Sequence, residues 1–294
     1  MRVTGRRRAV LIAGPTASGK SALALAMARE QGGVIVNTDS MQVYDTLRVV
    51  TARPGQDEVA QADHRLYGTV PAAVRFSTGQ WLTAVHSVIN QTGDAPLFFV
   101  GGTGLYFDAL LNGFADIPDV PAKIAVQVQQ EIEDLDGAQR LALLLREDPV
   151  AAARLKVVDP QRLIRALAVK RATGRTLSSF QDDKQAGGLE GFEVERLVLD
   201  PERDVLRARI AERFAAMFSG GAVEEVQALR GLDLDSHLPV SKAIGVREIG
   251  DWLDGTRTRD EAVALATIAT QQYAKRQRTW FRNRFGDWPR RAPD

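Results

Sequence analysis

Gly14-Pro15-Thr16-Ala17-Ser18-Gly19-Lys20-Ser21 is the stretch that decides the fold, with Ala9–Ala13 (AVLIA) before it and Ala22–Glu30 (ALALAMARE) after it. An apolar run, a glycine-rich turn and an Ala/Leu-rich segment predict strand, loop and helix, the setting in which backbone N–H groups close around a phosphate. The helix start adds unpaired donors, Lys20 brings a positive charge, and the Ser21 hydroxyl can ligate a phosphate-bound Mg²⁺. The motif does not say which phosphorylated molecule it holds.

Downstream, Val34–Asn37 predicts a second parallel strand that delivers Asp39, followed by Ser40-Met41-Gln42-Val43-Tyr44. Ligand groups in open α/β sheets gather at the carboxyl ends of strands, which makes Asp39 a candidate acid or base; a helix cap is the plainer alternative. Residues 50–71 show turn residues without a period and are expected to form a long connection, in which His64 and Arg65 either meet an anion or face water. Trp81, Leu82, Val85, Val88 and Ile89 have helical spacing, so Trp81 is expected in the core. A third strand, 96–100, runs into Gly101-Gly102-Thr103-Gly104, whose glycines suggest close backbone approach to a ligand beside the Thr103 hydroxyl.

The pattern changes after Gly113. Residues 116–121 (DIPDVP) break the chain, 123–175 are mostly helical with a basic last helix (Arg162, Arg165, Lys170, Arg171, Arg175), and 177–189 are expected to be a flexible return. A strand at 194–200 and a helix at 202–218 follow, with Arg209 and Arg213 one turn apart and able to clamp phosphoryl oxygens. In the last long helix, from 261 to about 284, Lys275, Arg278 and Arg282 form a basic stripe that suits a polyanion or, more plainly, a solvated helix end.

These readings predict an α/β fold: a P-loop NTPase-like parallel sheet core with a mostly helical insertion domain, divided as 1–118, 119–190 and 191–294. A chain of 294 residues with 45% hydrophobic and 26% charged residues suffices for such a core. Zero cysteines exclude disulfides and thiolate metal sites, and a net charge of +1 leaves any nucleic-acid argument to local clusters. No apolar run approaches a membrane span and no signal segment is recognised, so a cytoplasmic protein without membrane association is expected.

The motifs GPTASGKS (14–21), DSMQVY (39–44), GGTGLY (101–106), DPQRLIRALAVKRATGR (159–175) and YAKRQRTWFR (273–282) resemble, in order and spacing, those of the tRNA dimethylallyltransferase (tRNA isopentenyltransferase) family over nearly the whole chain. The resemblance implies transfer of a dimethylallyl group from dimethylallyl diphosphate to N6 of adenosine 37 in the anticodon stem-loop of tRNAs reading codons that begin with U. It implies Asp39, Thr103, Lys20 and Arg213 as catalytic residues, and Gly14, Pro15, Thr16, Ala17, Ser18, Gly19, Lys20, Ser21 and Arg213 as the diphosphate site, with Mg²⁺ on Ser21. It implies tRNA contacts at Asp39, Ser40, Met41, Gln42, Thr103, Lys123, Gln161, Arg162, Leu163, Ile164 and Arg165. Lys275, Arg278 and Arg282 join these from the basic stripe, and residues 119–190 become a tRNA-contacting lid on a chain expected to act as a monomer. Three positions depart from the family pattern: Arg53 for a lysine, Arg65 for a histidine and Val246 for a tyrosine. A P-loop kinase using ATP is the alternative for the same core, and a non-catalytic RNA-binding NTPase a third reading.

Overall fold

The computed structural model describes residues 6–115, 117–118, 120–154 and 159–292. Two elements of the expected helical region therefore fall partly outside it: Asp116 and Asp119 of the 116–121 break, and 155–158.

Among the described residues eight strands are formed: β1 (Arg8–Ala13), β2 (Val34–Asn37), β3 (Asp63–Arg65), β4 (Leu97–Gly101), β5 (Phe114–Ala115), β6 (Lys184–Gln185), β7 (Glu193–Leu199) and β8 (Arg290–Arg291). Six of them make one sheet in the order β3-β2-β4-β1-β7-β8, every pair parallel. The continuous apolar reading of β1 and β4 has its cause here. Residues 9–13 and 97–99 are 0% exposed, because helices cover both faces of a parallel sheet.

The helices are α1 (Lys20–Gln31), α2 (Gln56–Val59), α3 (Thr78–Gln91), α4 (Gly104–Asn112), α5 (Ala122–Ile132), α6 (Gly137–Glu147), α7 (Pro149–Arg154), α8 (Pro160–Thr173), α9 (Leu177–Asp182), α10 (Arg203–Ser219), α11 (Ala222–Gly231), α12 (Val246–Leu253) and α13 (Arg259–Arg284). Trp81 of α3 sits in the core at 0% exposure, donates Nε1–H to the Asn37 carbonyl at 2.9 Å and stacks on Tyr106 at 4.2 Å. Helix α13 starts on a capping box in which Thr258 and Glu261 satisfy each other's backbone N–H groups, and it runs for 26 residues.

The chain divides into two compact units, 1–111 with 188–294, and 112–187. The second contains α5–α9 and the β5–β6 pair, and its core is built from Val128, Ile132, Leu143, Leu144, Leu163 and Leu167.

Two segments differ from the sequence expectation. The connection at 50–71 contains β3, a three-residue edge strand, and the return at 177–189 contains α9 and β6. Both are too short to generate a period, and β3 is held by its ladder with β2 (Val34↔Asp63 to Val36↔Arg65) rather than by its own burial. The return is ordered by Asp148. Its carboxylate is 2% exposed, accepts Ser178 N–H at 3.0 Å and the Ser178 hydroxyl at 2.6 Å, and so anchors α9 to the start of α7.

Candidate functional site

Strand register assembles the site. Ala13 pairs with Gly101, and Val100 with Asn37, so the chain leaves β1, β4 and β2 on one edge of the sheet at Gly14, Gly102 and Thr38. Three loops distant in sequence are thereby neighbours.

The loop after β1 is shaped by its backbone. Gly19 at φ 88° and Ala17 at φ 62° both take the left-handed region, which glycine enters freely and alanine does not. Ser18 N–H donates to the Pro15 carbonyl at 3.2 Å, and Lys20 Nζ donates to the same oxygen at 3.3 Å. A Cβ on Gly14 would stand 2.7 Å from Ser18 Oγ and 2.8 Å from the Leu199 carbonyl, so glycine is the residue this turn requires.

After β2, Asp39 caps no helix. Its Oδ1 accepts Met41 N–H at 3.0 Å in an Asx turn, and its own N–H donates to Asn37 Oδ1 at 2.8 Å. Asn37 also donates to the carbonyls of Asp39 and Leu66, fixing the carboxylate's backbone from both sides. Thr103 ties the third loop to this one: its N–H donates to the Thr38 carbonyl at 3.1 Å and its Oγ1 accepts Ser40 N–H at 2.9 Å.

The glycines around Thr103 approach protein rather than an open cleft. A Cβ on Gly101 would meet the Thr38 carbonyl carbon at 2.2 Å, one on Gly102 would meet Gln277 Nε2 at 2.1 Å, and one on Gly104 would meet Trp280 at 2.1 Å. The close backbone approach is to protein: to the Thr38 backbone at Gly101 and to α13 at Gly102 and Gly104.

Facing these loops is a cavity of about 1120 Å³ lined by residues 16–23, Asp39, Gln42, Arg53, Arg209, Arg213 and Arg291. Helix α10 does face the loop, and Arg213 donates to Thr16 Oγ1. Burial lowers the Arg213 pKa, with Asp39 opposing the shift. Burial likewise lowers Lys20 to about 8, Asp39 pulling it up and Arg213 pushing it down. Lys20 and Arg213, drawn from water beside Asp39, are an environment that a bound anion would relieve, and Glu58 is the second carboxylate on the cavity wall. Adjoining it is a smaller recess of about 80 Å³ that shares Thr16, Asp39, Thr51 and Arg213 but is otherwise walled by Met41, Val50, Ile210, Phe214, Met217, Ile244, Thr270 and Tyr273.

The structure adds Arg53, Arg291, Gln277 and Tyr273 to the candidates. Arg53 is anchored by donation to the Tyr44 and Asp45 carbonyls, so the family departure at this position still delivers a cation to the cavity. Gln277 is an uncharged amide 5% exposed within a basic stretch, and that mismatch is its one sequence signal. Arg291 gave none.

Of the two alternatives open for His64 and Arg65, neither side chain lines the cavity: Arg65 pairs with Asp63 at 2.8 Å on an exposed edge, and His64 Nδ1 lies 2.9 Å from the Ala62 carbonyl. Other expectations are corrected. Leu163 is 0% exposed in the core of the helical unit and Ile164 packs against that core, which removes Leu163 as a side-chain contact for RNA. On the same helix α8, Gln161, Arg162 and Arg165 are exposed, as is Lys123 on α5. Arg278 is not an open cation either: Asp200 takes it at 2.7 Å, and Arg290 takes the other oxygen of Asp200 at 3.1 Å. Lys275 and Arg282 remain exposed on the stripe. Val246 opens α12 after Gly245, whose N–H is capped by Glu248 at 2.8 Å.

These features define a parallel α/β protein with flanking helices, whose strand-end cavity carries Lys20, Arg53, Arg209 and Arg213 beside Asp39 and adjoins a small recess with apolar walls. Comparison with known proteins narrows that class. Residues 42–284 match the family described as IPP transferase, and residues 7–70 one described as isopentenyl transferase. A tRNA dimethylallyltransferase of Methylobacterium sp. (strain 4-46) is 53% identical over 291 residues, covering 98% of this chain and 95% of its own. The solved tRNA isopentenylpyrophosphate transferase of Bacillus halodurans is 28% identical with a TM-score of 0.66, covering 97% of this chain and 90% of its own. A eukaryotic dimethylallyltransferase acting on tRNA has a TM-score of 0.75 at 24% identity, covering 94% of this chain and 70% of its own, and speaks to the fold alone. The chain belongs to the IPP transferase family.

Proposed function

We propose that this chain transfers a dimethylallyl group from dimethylallyl diphosphate to N6 of adenosine 37 in tRNAs reading codons that begin with U. One observation carries the reading: the cationic cavity and the small apolar recess share Thr16, Asp39 and Arg213. A prenyl diphosphate has a polyanionic end and a short apolar end meeting at the reactive carbon. ATP has no group that calls for a recess walled by Ile210, Phe214 and Met217.

In this reading Lys20, Arg213 and the N–H groups of residues 14–21 hold the diphosphate, with Arg209, Arg53 and Arg291 adding positive potential. The five-carbon tail lies in the recess, and adenosine 37 enters beside Thr103. The target base must leave its stack, which costs less in an anticodon loop than in a duplex. N6 attacks the allylic carbon as the carbon–oxygen bond to diphosphate breaks. The proton lost from N6 passes to Asp39, and the charge growing on the departing diphosphate falls among Lys20 and Arg213.

Mg²⁺ fits the donor set. No cluster of three or more His, Asp or Glu side chains able to hold a metal exists among the described residues, and Mg²⁺ is commonly bound by one or two protein oxygens together with substrate phosphate. The exposed Ser21 hydroxyl on the cavity would hold it. There it would neutralise phosphate charge.

The tRNA would be held by residues 39–42 and Thr103, by exposed Gln161, Arg162, Arg165 and Lys123 of the helical unit, and by Lys275 and Arg282. The chain would act as a monomer in the cytoplasm. No helix among the described residues is long and apolar enough to cross a membrane.

The test incubates unmodified tRNA with labelled dimethylallyl diphosphate and, separately, with labelled ATP. Label from the prenyl donor alone should become covalently attached, at adenosine 37. Attachment only from ATP, or none, sinks the reading. Two further outcomes are expected. Neutralising Lys275 and Arg282 should flatten the salt dependence of tRNA binding by about 1.5–2 in the log–log slope without changing dimethylallyl diphosphate affinity. Truncating Phe214 to alanine should open the recess, so that geranyl diphosphate becomes a measurable donor while transfer of the five-carbon group slows; continued rejection of the longer chain would remove Phe214 as its wall.

A further inference from the structure

We infer that Gln277 is a positioning residue that holds the diphosphate loop in register with the loop carrying Thr103. The inference rests on the proposed function and deepens it. The Gln277 carboxamide spans the two loops: its Oε1 accepts Thr16 N–H at 2.9 Å and its Nε2 donates to the Gly102 carbonyl at 2.9 Å. No charged side chain can make both bonds, since a carboxylate has no donor and an ammonium or guanidinium no acceptor. The carboxamide supplies a donor and an acceptor from one planar group, and this one is 5% exposed.

Its neighbours on α13 show that the contact is built. Tyr273 precedes Gln277 by four residues and Trp280 follows it by three, which places all three on one face of the helix. The Tyr273 hydroxyl interacts with Thr103 and Gln277, and burial, reinforced by Asp39, pushes its pKa up, so it stays a donor. Trp280 fills the space that a Cβ on Gly104 would need, as Gln277 fills that of Gly102. One helical face therefore grips the Thr103 loop at three successive points, and Gln277 hydrogen-bonds the diphosphate loop as well.

The consequence is geometric. Thr16 is held from both sides, its N–H by Gln277 and its hydroxyl by Arg213. The prenyl donor is bound on the Thr16 side and the adenosine on the Thr103 side. Strand register brings the two loops together, and the carboxamide fixes the remaining freedom between the reacting carbon and N6; displacements of about 1 Å between reacting groups cost on the order of 100-fold in rate. Each substrate still meets its own loop, so affinity for either one alone depends little on the link.

The experiment compares Gln277→Met with the wild-type chain. Methionine keeps length and volume and loses both bonds; Gln277→Asn keeps both polar groups on a shorter stem. Single-turnover dimethylallyl transfer should fall 10- to 100-fold in Q277M and less in Q277N, with dissociation constants for dimethylallyl diphosphate and tRNA within threefold of wild type. The Thr16 amide should lose hydrogen-exchange protection in Q277M, a readout that needs no catalysis. Leu229→Ala, a core truncation on α11, supplies a variant of lowered Tm. If L229A loses as much rate per degree of Tm, if Q277M transfers at the wild-type rate, or if its loss lies wholly in the dissociation constants, the positioning role is wrong. If wild-type chain transfers no dimethylallyl group, the proposed function fails instead, and the Thr16 exchange result still reports on the link.

Discussion

Replacement of Asp39 by asparagine is expected to lower dimethylallyl transfer ~100-fold or more while leaving tRNA affinity within a few-fold. Asparagine is the informative substitution because Asp39 has two tasks. Its Oδ1 accepts Met41 N–H and shapes the turn at 39–42, and an amide oxygen can do the same. What asparagine cannot do is accept the proton that leaves N6 as the new bond forms. Asp39→Ala removes both functions and is expected to lose at least as much rate, with an added loss in tRNA affinity if the turn relaxes. The measurement is single-turnover transfer alongside equilibrium tRNA binding for both variants. A D39N chain with near-normal transfer would show that the proton departs to water and that Asp39 serves only the turn.

Legibility of this molecule from its sequence followed the range of the determinants. The loop at 14–21 was readable because strand, turn and helix are contiguous and each leaves its own period or glycine. Asp39 and Thr103 were readable because they directly follow apolar runs, and a strand end in a parallel sheet is a place where ligands bind. Gln277, Arg291 and Tyr273 were not, since Arg291 reaches the cavity, Tyr273 the recess and Gln277 the two loops beside them from more than 250 residues beyond the diphosphate loop. Charge compensation was hidden for the same reason: Arg278 stands in a run without acids, and its acid, Asp200, follows strand β7. The glycines at 101, 102 and 104 were read as close approach to a ligand, and what approaches them is protein: Thr38 at Gly101, and at Gly102 and Gly104 helix α13, invisible until the helix was placed. Strands β3 and β8, three and two residues long, carry too few positions for any period to register.

Removal of the Lys20 charge is expected to separate stability from activity. Burial outweighs the attraction of Asp39, and Arg213 adds to the depression, so the ammonium titrates near pH 8 in the folded chain against 10.5 for an ordinary lysine. The folded state has thus given up a proton that the unfolded state still holds between about pH 8 and 10.5, and stability rises with pH across that window. Below pH 8 the full penalty of keeping Lys20 charged is present. Lys20→Met should therefore stabilise the fold at pH 7 by on the order of 1 kcal/mol, after loss of the bond to the Pro15 carbonyl, seen as a raised Tm. Transfer should move the other way and fall ~100- to 1000-fold, because the departing diphosphate loses a desolvated cation placed in advance. The same titration governs donor binding. Diphosphate beside Nζ favours the charged form, so binding takes up a proton above pH 8, and the dissociation constant for dimethylallyl diphosphate should be flat below about pH 8 and rise by up to tenfold per unit above it. In K20M that break should vanish while the weaker affinity remains. A K20M chain that is less stable than wild type at pH 7, or a wild-type profile without the break, would mean that Lys20 is solvated and holds its charge at no cost to the fold.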